Sequence, residues 1–414
     1  MLLAIGIYRI ALFTYFSLLR LVAIFHTKAS QFVGGRKNWE QPLKQWRASN
    51  GNAPLVWFHC ASLGEFEQGR PVMEAFKNTY PNYQILLTFY SPSGYEVRKN
   101  YAGADYIMYL PWDSPNNARK FLSIIKPKMV FFVKYEYWFF HLREVAKLNL
   151  PLFSISTILR PNQLFFRWYG LMHRKCLRFF TYFFTQNQET QNLLNSLEIN
   201  NCSIAGDTRF DRVIDIYEKK KSIPIAESFV SNQKCIVVGS AWWQDRELLK
   251  SVIINTNYKW IVAPHDINEA DLAQWENTFP EQSIRYSEAE DSINAKILLI
   301  DNVGMLSSLY QYGWVGYIGG AFGAGLHNTL EAAVYGIPVF FGNKNYSKFN
   351  EAIGLINNGA AFAVNSASEM EAILTRFEQD HLSYQQAAEK AGGFVKEHKG
   401  ATSLIMNKIS KWID

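Results

Sequence analysis

Two acidic residues and a cation stand where they could do chemistry. Glu65 closes the motif H-C-A-S-L-G-E, which runs from an apolar strand-like stretch through a short loop into a helix. A carboxylate at the end of a strand can take a proton from an acceptor hydroxyl. Ser62 and Glu65, three apart, also have the spacing of a capping box, so a purely structural role stays open. Glu136 lies in K-Y-E-Y-W, just after a second apolar run. An ionised carboxylate among Tyr135, Tyr137 and Trp138 is costly unless paired. It reads either as the partner of a nearby Arg or Lys, or as a second carboxylate facing a ligand. Arg209, in G-D-T-R-F-D, could neutralise a leaving phosphate. Flanked by Asp207 and Asp211, it fits a salt bridge as well.

The second half of the chain carries loops suited to an anion. Gly319, Gly320, Gly323 and Gly325 fall within seven residues. Such a loop permits close backbone approach and positive φ. A helix opening near Asn328 would offer N–H groups to a phosphate, with Thr329, Leu330 and Glu331 in its first turn. Asn328 and Glu331 also suit a simple cap pair. Ser240 is expected at a helix start. Pro264 and His265 stand at a strand end, where a base could be read. Val303, Gly304 and Met305 are expected in the first turn of another helix.

The elements that must position these groups alternate in type. Strand-like runs at Leu55–Cys60, Gln84–Phe89, Met129–Val133, Leu152–Ile155 and Tyr182–Thr185 are mostly separated by helical stretches. A second series covers Cys235–Gly239, Lys259–Ala263, Lys296–Ile300, Val315–Gly319 and Pro338–Phe341. Two βα series predict an α/β protein of two Rossmann-like, doubly wound domains, with Asp207–Pro224 as the linker. Such domains bind ligands at the carboxyl ends of their strands.

The 414 residues are 48% hydrophobic and 19% charged, enough for large cores. The net charge of +6 is uneven. The first 39 residues carry +5, the window between Glu144 and Glu189 carries +6, and the remainder is −5. This excludes a uniformly basic nucleic-acid coat and suggests two local cationic surfaces. The stretch Arg160 to Phe180 interleaves cations with bulky apolar side chains, as a helix facing anionic lipid would, or as an amphipathic helix with solvated cations. The four cysteines form no CxxC, and the eight histidines show no zinc spacing. No metal site is expected. The first 25 residues are apolar except for Arg9 and Arg20, which fit a helix lying in or shallowly inserted into a membrane. A buried amphipathic helix is the alternative. Lys28, Arg36 and Lys37 would place the bulk of the chain on the cytoplasmic side.

Taken together, these motifs resemble the 3-deoxy-D-manno-octulosonic acid (Kdo) transferases, which move Kdo from CMP-Kdo onto a lipid A precursor. The resemblance rests on H-C-A-S-L-G-E, K-Y-E-Y-W, G-D-T-R-F-D, A-P-H at 263–265 and G-G-A-F-G-A-G-L-H-N-T-L-E, whose order and approximate separations match that family's. It implies a GT-B glycosyltransferase fold. Residues 1–27 would be a membrane-associated helix, 28–212 the acceptor-binding domain and 213–395 the CMP-sugar-binding domain. A C-terminal helix, 396–414, would pack back on the first domain. By this resemblance Glu65 is the general base, and Glu136 and Arg209 stabilise the transition state. Ser240, Pro264, His265, Val303, Gly304, Met305, Asn328, Thr329, Leu330 and Glu331 fall to the CMP side. Arg209 stands where the family often has Lys, and Met305 where Glu is frequent. The implied partners are CMP-Kdo, a lipid A precursor and the anionic inner-membrane surface on its cytoplasmic face, with no metal cofactor and no nucleic acid. Competing readings are another GT-B nucleotide-sugar transferase and a non-catalytic membrane-surface binding protein.

Overall fold

The computed structural model describes residues 2–51, 53–290, 294–323 and 325–413. They form two compact units, Met1–Arg212 with Gly400–Asp414, and Val213–Lys399. The first holds strands β1 (Leu55–Cys60), β2 (Gln84–Phe89), β3 (Tyr106–Tyr109), β4 (Met129–Val133), β5 (Leu152–Thr157), β6 (Tyr182–Thr185) and β7 (Cys202–Ile204). They pair in parallel in the order β3-β2-β1-β4-β5-β6-β7. The order reverses between β1 and β4, so the loops leaving these two strands open side by side. The first leads within a few residues to Glu65, in the opening turn of the next helix, and the second carries Glu136.

Every residue of β1, β4 and β5 is buried. A parallel sheet covered on both faces has no solvent side, so its strands read as continuous apolar runs. Successive side chains still alternate between two cores. Trp57 and Phe132 pack on one face, Phe58 and Phe131 on the other. Fully burying each such side chain is worth roughly 1.5–3 kcal/mol. The C-terminal helix Ala401–Ile409 puts Ile405 and Ile409 into the second of these cores. Its first turn is held by Asp211, whose carboxylate accepts from the N–H of Gly400 and of Thr402 at 2.6 Å each.

The second unit repeats the plan with β8 (Cys235–Ala241), β9 (Lys259–Pro264), β10 (Ser283–Arg285), β11 (Ile297–Leu299), β12 (Val315–Ile318), β13 (Val339–Gly342) and β14 (Ala361–Val364). Their parallel order is β10-β11-β9-β8-β12-β13-β14. Here the reversal lies between β8 and β12. The Gly-rich loop leaves β12 at that point.

Several local expectations need correction. Most of the expected linker is the helix Thr208–Glu218, because Phe210, Val213 and Ile214 recur at helical spacing and are buried. Ser240 lies inside β8 with φ of 53°, and the helix begins only at Trp243. Val303, Gly304 and Met305 precede a four-residue helix, Leu306–Leu309. The helix after the Gly-rich loop is only Leu330–Ala333. It is a single turn, shorter than the expected helix. Between Arg160 and Phe180 only Leu171–Leu177 is α-helical, since Gly170 and the preceding turns break the run.

The N-terminal helix Leu2–Val22 is long and apolar enough to cross a membrane. One side is tied to the first unit. The Tyr8 hydroxyl donates to Asp113 Oδ2 at 2.7 Å, and the Phe16 ring meets Trp112 at 3.9 Å. Its other side leaves Leu3, Ile7, Ile10, Phe13, Leu18 and Leu21 exposed.

Candidate active site

In the first unit the turn after β1 leads into the helix Leu63–Thr79, with Ser62 in the N-cap position. The Ser62 side chain makes no capping bond. The Glu65 carboxylate turns back and accepts from the Ala61 N–H at 2.5 Å, and the residue is only 7% exposed. Half of the expected capping box is therefore present, on the residue one earlier. The motif histidine, His59, is a core group whose Nδ1 meets Thr88 Oγ1 at 2.9 Å.

β4 ends in a sharp turn. Lys134 adopts φ of 62°, and its carbonyl accepts from the Tyr137 hydroxyl at 2.8 Å and from Ser154 Oγ at 3.0 Å. This turn re-aims the chain so that Glu136 comes near Glu65. Glu136 senses the charge of Glu65. Burial pushes Glu65 up to about 7, opposed by the Ala61 N–H and the Lys134 ammonium. Burial pushes Glu136 up to about 8, helped by the charge of Glu65 and opposed by Arg36. Two like charges sharing a half-buried site resist ionising together. Glu65 is thus set near neutral pH, where a general base is most effective.

Arg209 is held by Asp207. Its backbone N–H reaches Oδ1 at 2.9 Å, and its Nε and a terminal nitrogen reach Oδ2 at 3.0 and 2.7 Å. Burial favours protonation of Asp207, but Arg209 and Lys134 outweigh it and hold the carboxyl below its ordinary value. The Asp211 carboxylate accepts from the N–H groups of Gly400 and Thr402 at the start of the C-terminal helix.

Two residues escaped the sequence reading. Lys134 acts on both Glu65 and Asp207, and so links the two halves of the constellation. It lies two residues from Glu136 in the quoted motif, but only the left-handed turn gives it that place. Arg36 is 3% exposed and donates to the carbonyls of Phe32, Leu110 and Tyr90 at 2.8, 2.8 and 2.5 Å. Its guanidinium lies 4.0–4.9 Å from the ring centres of Phe32, Tyr90, Tyr109 and Trp112. Nothing in its sequence spacing announces this aromatic box.

In the second unit the residues expected on the CMP side divide. His265 is exposed and stacks on Trp242 at 4.1 Å and 17°. Trp242 Nε1 donates to His327 Nε2 at 3.2 Å, and His327 lies 4.8 Å from His265. Burial and the neighbouring His265 hold His327 down to about 4, so it is neutral. Beside them, Pro264, His265, Trp242 and Arg246 line a cavity of about 160 Å³. Asn328 Nδ2 donates to Glu331 Oε1 at 3.2 Å and its Oδ1 accepts from the Leu330 N–H at 3.3 Å, while the N-cap position falls on Thr329, whose side chain makes no capping bond. Thr329 and Leu330 are fully buried, and Thr329 Oγ1 has no hydrogen-bond partner among the described residues. Val303 is 90% exposed, away from any core. Asp245 ties the switch point together by accepting from the N–H of Trp242, the N–H of Gly320 and the Tyr317 hydroxyl, each at 2.9 Å.

Residues 37–212 match the model of the family described as 3-deoxy-D-manno-octulosonic-acid transferase (kdotransferase). The chain is 26% identical over 329 residues to the 3-deoxy-D-manno-octulosonic acid transferase of Aquifex aeolicus, covering 77% of this chain and 85% of that one. It is 22% identical over 404 residues to the enzyme of the same name from Chlamydophila psittaci, covering 94% and 91%. Its structure resembles the UDP-GlcNAc 2-epimerase of Neisseria meningitidis with a TM-score of 0.62 at 16% identity, over 86% of this chain and all of that one. That likeness shows the fold: two parallel-sheet α/β domains of the GT-B type.

Proposed function

We propose that this member of the Kdo transferase family transfers Kdo from CMP-Kdo to a lipid A precursor in lipopolysaccharide biosynthesis, with inversion at the anomeric carbon. The observation that carries the reading is the buried Glu65 carboxylate at the carboxyl end of β1, held up near 7 beside a second carboxylate. Glu65 removes the proton of an acceptor sugar hydroxyl, whose oxygen attacks the anomeric carbon of Kdo. The bond to CMP breaks, and CMP leaves with the electron pair. Glu136, beside Glu65, helps stabilise the transition state, and Arg209 supplies positive charge to the developing phosphate. Pro264, His265 and Asn328 to Glu331 contribute to CMP binding, with Ser240 and Val303 to Met305 completing the nucleotide side. No metal takes part in this scheme. The helix Leu2–Val22 and the cations of the first unit hold the enzyme at the cytoplasmic face of the inner membrane.

The test is an assay with CMP-Kdo and a tetraacylated, bis-phosphorylated acceptor, with mass spectrometry of the product. Wild-type protein should add Kdo. Glu65→Gln should fold normally and lose about 10²–10⁴-fold in turnover. Near-wild-type turnover in that variant would remove Glu65 from the role of base. A thermal-shift series with CMP, UDP, ADP and GDP checks the donor, and stabilisation by a nucleoside diphosphate in place of CMP would overturn the CMP-Kdo assignment.

A further inference from the structure

The Gly-rich loop after β12 does not stand alone. The loop from β13 to the helix Asn350–Asn357 folds back onto it. The Asn345 N–H donates to the Ala321 carbonyl at 2.8 Å, and Asn345 Nδ2 donates to the Gly323 carbonyl at 2.8 Å. The two loops meet too closely for side chains at their contact points. A Cβ at Gly342 would lie 2.5 Å from the Phe322 ring, and one at Gly325 would lie 3.3 Å from Lys348 Nζ. Gly325 also has φ of 139°, a conformation that side chains rarely adopt.

This docking brings two ammonium groups to the Gly-rich loop. Lys348 Nζ stands beside Gly325, and Lys344 Nζ lies 5.8 Å from the Phe322 ring centre. Both lysines are exposed, and neither has an ion-pair partner among the described residues. Asp245, beneath the loop, is already engaged by three donors. Two uncompensated cations fixed to a loop at a strand-order reversal are suited to an anionic ligand group.

The geometry points to Lys344 and Lys348 as the pair that receives an anionic group of the donor, either its phosphate or the carboxylate of its sugar acid. The inference rests on the proposed use of a CMP-linked sugar acid and names the residues that recognise its charge. It also gives a cationic locus to a half of the chain whose overall charge would not attract an anion. Asn345 sets the spacing of the pair by clamping one loop to the other.

Calorimetry on the full chain, without acceptor, tests this with cytidine, CMP and CMP-Kdo as probes. The double variant K344Q/K348Q is compared with wild type and with K344R/K348R, which retains charge. If the pair reads phosphate, CMP binds about tenfold more weakly to the Gln variant while cytidine is unaffected. If it reads the sugar carboxylate, CMP is unchanged and CMP-Kdo alone is weakened. In either case the Arg variant recovers most of the loss. Unchanged affinity for both CMP and CMP-Kdo, or an equal loss for cytidine and CMP, would overturn the assignment. A wild-type chain that binds neither CMP nor CMP-Kdo would sink the donor reading itself, and the inference with it.

Discussion

Glu65 and Glu136 are acids kept from ionising in the ordinary range, and this has consequences for stability as well as for rate. Both are raised above the value near 4.5 that an unfolded chain would show. The folded state therefore binds more protons than the unfolded state between that value and about 7 to 8. Their contribution is fullest below pH 4.5 and is lost as pH rises through 7 to 8. Glu65→Gln removes much of this dependence, so the variant should gain stability over wild type at pH 8 relative to pH 5. The gain is bounded by roughly 3 kcal/mol. Urea unfolding at the two pH values checks it, and a pH-independent difference would mean that Glu65 is not held up by burial. Activity should move the other way, rising with pH as Glu65 ionises near 7. In sequence, the identity and strand-end position of Glu65 were legible. The shift was not, because it depends on the surrounding atoms that exclude water and on an ammonium 69 positions away, Lys134.

At the scale of elements, the decisive features are turns and ends. The left-handed Lys134 turn points Glu136 toward Glu65, and the Asn345 clamp joins two loops of the second unit. The C-terminal helix begins at a glycine with φ of 115°, and its free N–H groups find their acceptor in a distant residue, Asp211. Asp211→Ala should destabilise the first unit by about 1–3 kcal/mol, since two backbone donors lose a charged acceptor. Chemical denaturation measures this, and a change within a few tenths of a kcal/mol would show that water replaces the carboxylate. Asp211→Asn should retain part of the stability, because an amide oxygen still accepts. The long, fully buried strands were readable as apolar runs. β3, β7, β10 and β14 have three or four residues each, too few for a period to show. The short helices after the Gly-rich loop and at Leu306–Leu309 were overestimated, since cap-like residues mark a helix start and say little about its length.

For the whole molecule, the charge pattern now has a structural address. Both cationic windows fall within the first unit, together with the exposed apolar side of the N-terminal helix. In the second window Trp168 is 85% exposed, with Leu164, Tyr169 and Leu171 also at the surface beside Arg167, Arg174, Lys175 and Arg178. A short helix with a broken approach still presents cations and interfacial aromatics together, which suits a bilayer surface. Replacing Arg174, Lys175 and Arg178 by Gln should weaken binding to phosphatidylserine or phosphatidylglycerol vesicles, at about 1 kcal/mol for each charge near the surface. The loss should shrink as salt rises. Salt-insensitive, unchanged vesicle binding would leave the N-terminal helix as the anchor.

The order of apolar runs and the motif residues by themselves determined the two parallel α/β halves and the resemblance to the Kdo transferases, and they placed Glu65 at a strand end. Those signals are local: a buried strand needs apolar residues wherever it lies, and a motif is read in contiguous residues. Tertiary structure alone decided that the charge of Glu65 reaches Glu136, that Lys134 joins Glu65 to Asp207, and that Arg36 sits in an aromatic box. It also brought Lys344 and Lys348 to a loop about twenty residues earlier in the chain. The reason is physical. Charge interactions and burial depend on distance through space, and the crossovers of a parallel sheet place the ends of neighbouring strands together regardless of their separation in sequence.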